Sequence, residues 1–291
     1  MAPERANGLV GAMTDSPKEP RRRKWIAEIR SLAGLALLVL GFHSLAAKPF
    51  YIPSESMMPG LLVGDRLLVS KYPYGWSYAS ASFHLLPFIE GRLFGRLPER
   101  GDIVIVARTK SGKSEDLIKR VVGLPGDRVQ MVRGRLWLNG EPVPTLDLGY
   151  RRFRADSNLR CSPNGRDAGL ESGQPSCRRH VLRETLPGGR SYEVLDLYPS
   201  RQDDTAPYEV PAGHVFLLGD NRDNSADSRF PLESDGLGGA VPVEAIGGRA
   251  EFVTFSLKGE ARWNPRTWFS NFRSDRSGAS LRPRREAAAC C

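Results

Sequence analysis

The chain has 291 residues, 40% hydrophobic and 26% charged, a balance that excludes wholesale disorder and leaves ample length for a buried core. Four cysteines without a CxxC pair and four histidines without HExxH leave no recognisable zinc site, so neither a metal nor a cofactor is expected. The net charge of +9 gathers at the two ends without a helix-turn-helix, zinc-finger or RNA-binding signature, which points to anionic lipid and away from nucleic acid.

Residues 1–20 are polar and Pro-rich and, with the basic run RRRK at 21–24, form a cytoplasmic tail to residue 28. The segment SLAGLALLVLGFHSLAA, 31–47, is slightly shorter than the roughly 20 apolar residues of a spanning helix. Ile29 before it and residues 50–52 after it extend the membrane contact, so 29–48 is assigned as a single transmembrane anchor. The positive cluster precedes the run, which keeps the N-terminus cytoplasmic and exports everything after Lys48. Two other readings compete. Ser44-Leu45-Ala46 resembles a small-residue cleavage site, which would make the run a removable signal peptide, and a buried core helix is the third. The late start of the run favours a retained anchor.

Beyond the anchor the apolar pattern changes to period two. RLLVSKY (66–72), DIVIVA (102–107), DLIKRVVG (116–123), DRVQMV (127–132) and RLWLNG (135–140) read as strands, with Gly-Asp turns at 64–65, 101–102 and 126–127. Arg133-Gly134 reads as a hairpin turn and Asn139-Gly140 as the next one. Between 142 and 211 the composition shifts to Arg, Asp, Gly, Ser and Pro with weak periodicity, which predicts an inserted, loop-rich subdomain. Strands resume with HVFLLGD (214–220) and RAEFVTFS (249–256), and a basic tail, 273–291, is expected to be disordered. The fold class is therefore mostly β: an ectodomain, 49–141 and 212–272, split by the insertion and carried on one N-terminal helix. On the exported side Cys161 and Cys177 are a candidate disulfide, with two free thiols as the alternative. The adjacent Cys290 and Cys291 have no assigned role.

Chemistry concentrates in three places. PSESMMPG (53–60) carries Ser54 and Ser56, and a serine hydroxyl is a poor nucleophile until a base takes its proton. None of the histidines, at 43, 84, 180 and 214, lies in a motif. Lys119, however, sits between Leu117 and Val121 on one face of a predicted strand. If that face is the core, desolvation leaves the amine neutral near pH 7 and able to act as a base; the alternative is a lysine snorkelling to solvent. GDNRDNSADSR (219–229) has the composition of a rigid turn, in which Ser225 can orient a buried lysine while Asp227 and Arg229 pair.

In this order PSESMMPGLLVGD (53–65), RGDIVIV (100–106), IKRVVGLPGD (118–127) and GDNRDNSADSR (219–229) resemble bacterial signal peptidase I. That family consists of membrane-bound serine–lysine peptidases that remove signal peptides from exported proteins. The resemblance implies Ser56 as nucleophile and Lys119 as general base. It also implies an oxyanion hole from the Ser54 hydroxyl and the Ser56 N–H, a lysine-positioning role for Ser225, and loop support from Asp227 and Arg229. The peptide is expected to add as a strand beside Asp116, Leu117 and Ile118. Phe50, Ile52, Pro53, Met57, Leu61, Ile105 and Ile118 match the shallow subsites for small residues at −1 and −3, typically Ala-X-Ala, with ordinary core packing as the alternative. Phe50, Tyr51, Trp76, Phe83, Phe88 and Phe94 are candidates for the membrane interface. The implied setting is a monomer in the bacterial inner membrane with its catalytic domain on the periplasmic side. Its partners there are signal peptides of preproteins and membrane phospholipid. Gly60 departs from the family, which more often has threonine there. The competing functions are a specialised peptidase with one dedicated substrate and a catalytically silent, membrane-anchored binding protein.

Overall fold

The computed structural model describes residues 21–80, 91–161, 167–259 and 271–285. A helix, α1, spans Arg21–Leu45, and its stretch Lys24–Leu45 is long and apolar enough to cross a membrane. Leu32, Leu35, Leu37, Leu38 and Phe42 all stand exposed along it, a surface suited to lipid and costly in water. The helix begins before residue 29 and ends before 48, so the sequence-based anchor of 29–48 is shifted by the fold. Lys48 and Pro49 belong instead to the first strand, because proline cannot continue a helix and disfavours the helical conformation in the residue before it.

The unit after residue 40 is built on antiparallel sheets. The strands β1 (Ala47–Tyr51), β2 (Asp65–Ser70), β3 (Ile103–Lys110) and β4 (Lys113–Gly123) come first in the chain. A hairpin follows, β5 (Arg128–Val132), β6 (Arg135–Leu138) and the short β7 (Glu141–Pro142). Its turns use Arg133-Gly134 and Asn139-Gly140, all at positive φ, as the hairpin chemistry of those pairs predicts. Residues 142–211 hold β8 (Thr145–Arg154), β9 (Ala168–Glu171), β10 (Gln174–Leu186), β11 (Arg190–Leu195) and β12 (Tyr208–Glu209). The chain closes with β13 (His214–Leu218), β14 (Val241–Pro242), β15 (Ile246–Ser256) and β16 (Arg284–Arg285). A seven-stranded sheet runs β1-β2-β15-β3-β4-β13-β14, so strands from both sides of the insertion interleave in one catalytic core.

Two sequence expectations are corrected here. The insertion is not loop-rich: β16-β11-β10-β8, with β9 against β10, make a five-stranded sheet. Its period-two signal was masked because polar and charged side chains also take inward positions, Ser176, Arg179, Glu184 and Ser191 all being buried. The tail is ordered through Arg285. Arg273 pairs with Asp156 at 2.9 Å, Arg276 pairs with the fully buried Asp65, and Leu281 joins the core of Ile52, Leu67, Ile103 and Val253. Arginine there is a binding element for buried carboxylates, so a low apolar content does not signal disorder.

The C-terminal half of β4 is buried on both faces, Val121 and Val122 each at 0% exposure. Lys119, paired in register with Val104 of β3, is thereby carried into the interior.

Candidate active site

Ser56 lies in a single 3₁₀ turn, Glu55–Met57, entered through Ser54 in an extended conformation. Ser54 stands at the N-cap yet its hydroxyl makes no capping bond; it lies 3.3 Å from Ser56 Oγ. Ser56 Oγ is in turn 3.2 Å from Lys119 Nζ, with both residues buried. Burial is the main cause that lowers the Lys119 amine to about 8, against partial opposition from the Asp227 and Asp220 charges. An amine tuned this way is neutral in an appreciable fraction of molecules near pH 7, and a neutral amine accepts a hydroxyl proton.

A second lysine tests this assignment. Lys71 is 2% exposed and burial lowers it, too, to about 8. Its Nζ stands 5.6 Å from the centre of the Phe50 ring, whereas the Ser56 hydroxyl lies 3.2 Å from Lys119. Burial makes two neutral-capable lysines; geometry brings Ser56 to only one of them.

The loop 219–229 holds the turn from beneath. The Asn221 N–H donates to the Ser56 carbonyl at 3.1 Å, and Asn221 Nδ2 donates to the Glu55 carbonyl at 3.2 Å. Asp227, fully buried, accepts from the Gly219 N–H and from the Arg229 guanidinium, each at 2.9 Å. Burial alone would push its carboxyl up, but Arg229 and these hydrogen bonds hold it below the usual range. Ser225 is buried beside this loop, but its Oγ makes no hydrogen bond, to Lys119 or to any other described residue. Its close neighbour is Gly219: a Cβ there would stand 2.1 Å from Ser225 Oγ and 2.6 Å from the Ser56 carbonyl oxygen.

The candidate subsite residues divide. Met57 and Leu61 are fully buried and Ile52 and Ile105 nearly so, all in one apolar cluster with Ile118 and the half-buried Phe50. They line the floor as packing. Phe50, Pro53, Asp116 and Leu117 are the ones that reach the surface. Of the interface candidates, Trp76 donates its indole N–H to the Leu45 carbonyl at 2.9 Å, and the exposed Phe94 meets Trp76 edge-on. Tyr51 is exposed, and Phe83 and Phe88 lie outside the described residues.

Three features escaped the sequence reading. Arg120, next to Lys119, forms a buried bidentate pair with Asp220 at 2.6 and 2.7 Å, donates to the Gly101 carbonyl and covers the Tyr192 ring. Arg222 pairs with Glu184 of the insertion. Glu55 meets Arg179 of the insertion at 3.7 Å. The signal for the first two was the density of charge in apolar surroundings, which demands partners without naming them. Cys161 and Cys177 are joined in a disulfide.

An apolar helix long enough to cross a membrane, followed by a mostly β unit with a buried serine beside a buried amine, fits the class of serine endopeptidases. The chain belongs to the signal peptidase family, peptidase S26, whose pattern it matches over residues 22–255. It is similar to signal peptidase I of Rickettsia typhi, with 33% identity over 252 residues, 84% of this chain and 83% of the relative. It is likewise similar to signal peptidase I of Rickettsia conorii, with 32% identity over 89% of this chain and 87% of the relative. A solved signal peptidase I from Enterococcus faecalis overlaps with a TM-score of 0.26 and 20% identity, covering 53% of this chain and 97% of that one. The family makes the chain a serine endopeptidase of the signal-peptide-cleaving type.

Proposed function

We propose that this chain cleaves signal peptides from exported preproteins after small residues, in an Ala-X-Ala pattern, through a Ser56–Lys119 dyad. The observation that carries the reading is the 3.2 Å approach of a buried lysine amine to a buried serine hydroxyl. Neutral Lys119 takes the proton from Ser56 Oγ as that oxygen attacks the carbonyl carbon of the scissile bond. The resulting oxyanion is held by the Ser54 hydroxyl and the Ser56 N–H. Collapse breaks the C–N bond and the Lys119 ammonium protonates the leaving amine. Water, deprotonated by the same lysine, then hydrolyses the acyl-enzyme. Ser225 supplies a spare buried hydroxyl beside the dyad for orienting the amine, and Asp227 with Arg229 keeps that loop in place.

The peptide pairs as an added strand along 116–118, its small side chains meeting the shallow floor over Ile118 and Phe50. The helix Arg21–Leu45 anchors the chain with its N-terminus cytoplasmic, and Trp76 and Phe94 sit at the level of the lipid headgroups. The enzyme works there as a monomer among phospholipids. A preprotein with an Ala-X-Ala site, incubated with full-length protein in detergent and phospholipid, tests the proposal. Cleavage after the −1 alanine is expected, and folded Ser56→Ala and Lys119→Ala proteins should both be silent. Cleavage persisting in Ser56→Ala would overturn the mechanism.

A further inference from the structure

The turn that carries Ser56 is held from two sides by different kinds of contact. The loop 219–229 grips its main chain through Asn221. The other side is a side-chain contact: Glu55, immediately before Ser56, points toward the inserted sheet. There Arg179 of β10 is 5% exposed, its Nη2 lying 3.7 Å from Glu55 Oε2 and 3.1 Å from the Arg160 carbonyl, its Nε 3.4 Å from Asp167 Oδ2. The Glu55 carboxyl is pushed up by burial and pulled back by Arg179, the Arg160 N–H and the Asn224 side chain. Arg160 and Arg179 are themselves tied together by the disulfide, since Cys161 follows the first and Cys177 precedes the second by two residues on one strand.

Taking two charged groups out of water costs about as much as their attraction returns, so a buried pair of this kind adds little to stability. What it does add is direction. Arg179 is the cation that, together with the Arg160 N–H and the Asn224 side chain, holds the Glu55 carboxylate, and Ser56 is the next residue. The 3.2 Å approach to Lys119 therefore depends on how firmly Glu55 is docked.

We propose that Arg179 is a positioning residue for the nucleophile: by holding Glu55 against the inserted sheet it fixes the turn that presents Ser56 to Lys119. The insertion is thereby part of the catalytic machinery, and the Cys161–Cys177 disulfide is the brace that keeps Arg160 and Arg179 in register. The inference rests on the Ser56–Lys119 reading above, and the experiment separates the two.

Full-length protein in detergent and phospholipid is assayed on an Ala-X-Ala peptide for kcat and KM separately, as wild type, Arg179→Gln, Glu55→Gln, the double variant, and the charge swap Glu55→Arg with Arg179→Glu. A misplacement of about 1 Å at a reacting group costs up to about 100-fold in rate, so a loosened turn should lose about 10-fold. That loss should fall in kcat, with KM unchanged, in each single variant. The double variant should be no slower than either single, and the charge swap should recover most of the rate. Additive losses, or a loss in Arg179→Gln with Glu55→Gln at the wild-type rate, would show that Arg179 does not act through Glu55. Wild-type kcat in a folded Arg179→Gln protein would overturn the inference while leaving the dyad intact. A Ser56→Ala protein that cuts as well as wild type would instead sink the dyad. Replacing both Cys161 and Cys177 by serine is the second arm, with the same fall in kcat expected in protein whose melting temperature shows it folded; an unchanged kcat there removes the disulfide from the proposal.

Discussion

Lys119 is in conflict with its surroundings, and the conflict has a sign. The unfolded chain keeps the lysine proton up to the ordinary 10.5, the folded chain only to about 8. Between those values the unfolded state binds more protons, so the folded state gains stability as pH rises through that window. Below about 8 the folded protein bears the full penalty of a charged, desolvated amine. Lys119→Met should therefore be inactive and yet melt at a higher temperature than wild type at pH 7, the gap narrowing as pH rises from 8 toward 10.5. Thermal unfolding across pH measures this, and a mutant that melts lower at pH 7 would contradict it. Catalysis has the matching dependence: kcat/KM should climb with pH along a limb centred near 8 as the free base forms. Because burial also lowers Lys71 to about 8, the control is Lys71→Met, which should keep the limb in place. A limb that vanishes with Lys71 would transfer the base to that residue.

At the level of elements, the site is an agreement between a turn, a strand and a loop. Strand β4 delivers Lys119 because its C-terminal half, which runs between β3 and β13, is buried on both faces. The loop 219–229 delivers the supports because Asp227 gathers the Gly219 N–H and Arg229 into one buried knot. Gly219 is the point of closest approach, where absence of a side chain lets the loop lie against Ser56 and Ser225. Gly219→Ala should push these apart and lower kcat on the order of 100-fold, even if circular dichroism shows the sheet intact. Activity within twofold of wild type would mean that the loop relaxes without moving the serine.

The whole molecule is closed by charge as well as by apolar packing. Among the described residues, Arg120–Asp220 and Arg222–Glu184 join the loop 219–229 to β4 and to the insertion. The C-terminal segment returns to the serine turn, where Arg276 pairs with the fully buried Asp65 and donates to the Gly60 carbonyl at 2.8 Å. Removing one member of a buried pair strands the other, so Arg276→Ala should cost about 2–3 kcal/mol. Urea unfolding should show that loss as a lower midpoint with unchanged slope. A midpoint within error of wild type would make this segment a passenger.

How much of this was legible beforehand follows from the range of the forces. Period-two patterning marked the core strands and Gly-containing dipeptides their turns, because pleat and positive φ are local properties. The four motifs brought Ser54, Ser56, Lys119 and the 219–229 loop into one reading, and the apolar run announced the helix. Hidden were the sheet inside the insertion, the order of the tail and the docking of Glu55 on Arg179. Each depends on which carboxylate an arginine meets across a large sequence separation, and a sequence records the charge without recording its partner. By itself the sequence determined the core strands and the helix, and it named the candidate serine and lysine. Only the tertiary structure decided which buried lysine meets Ser56, because desolvation acts on any amine in the core while a hydrogen bond requires a distance.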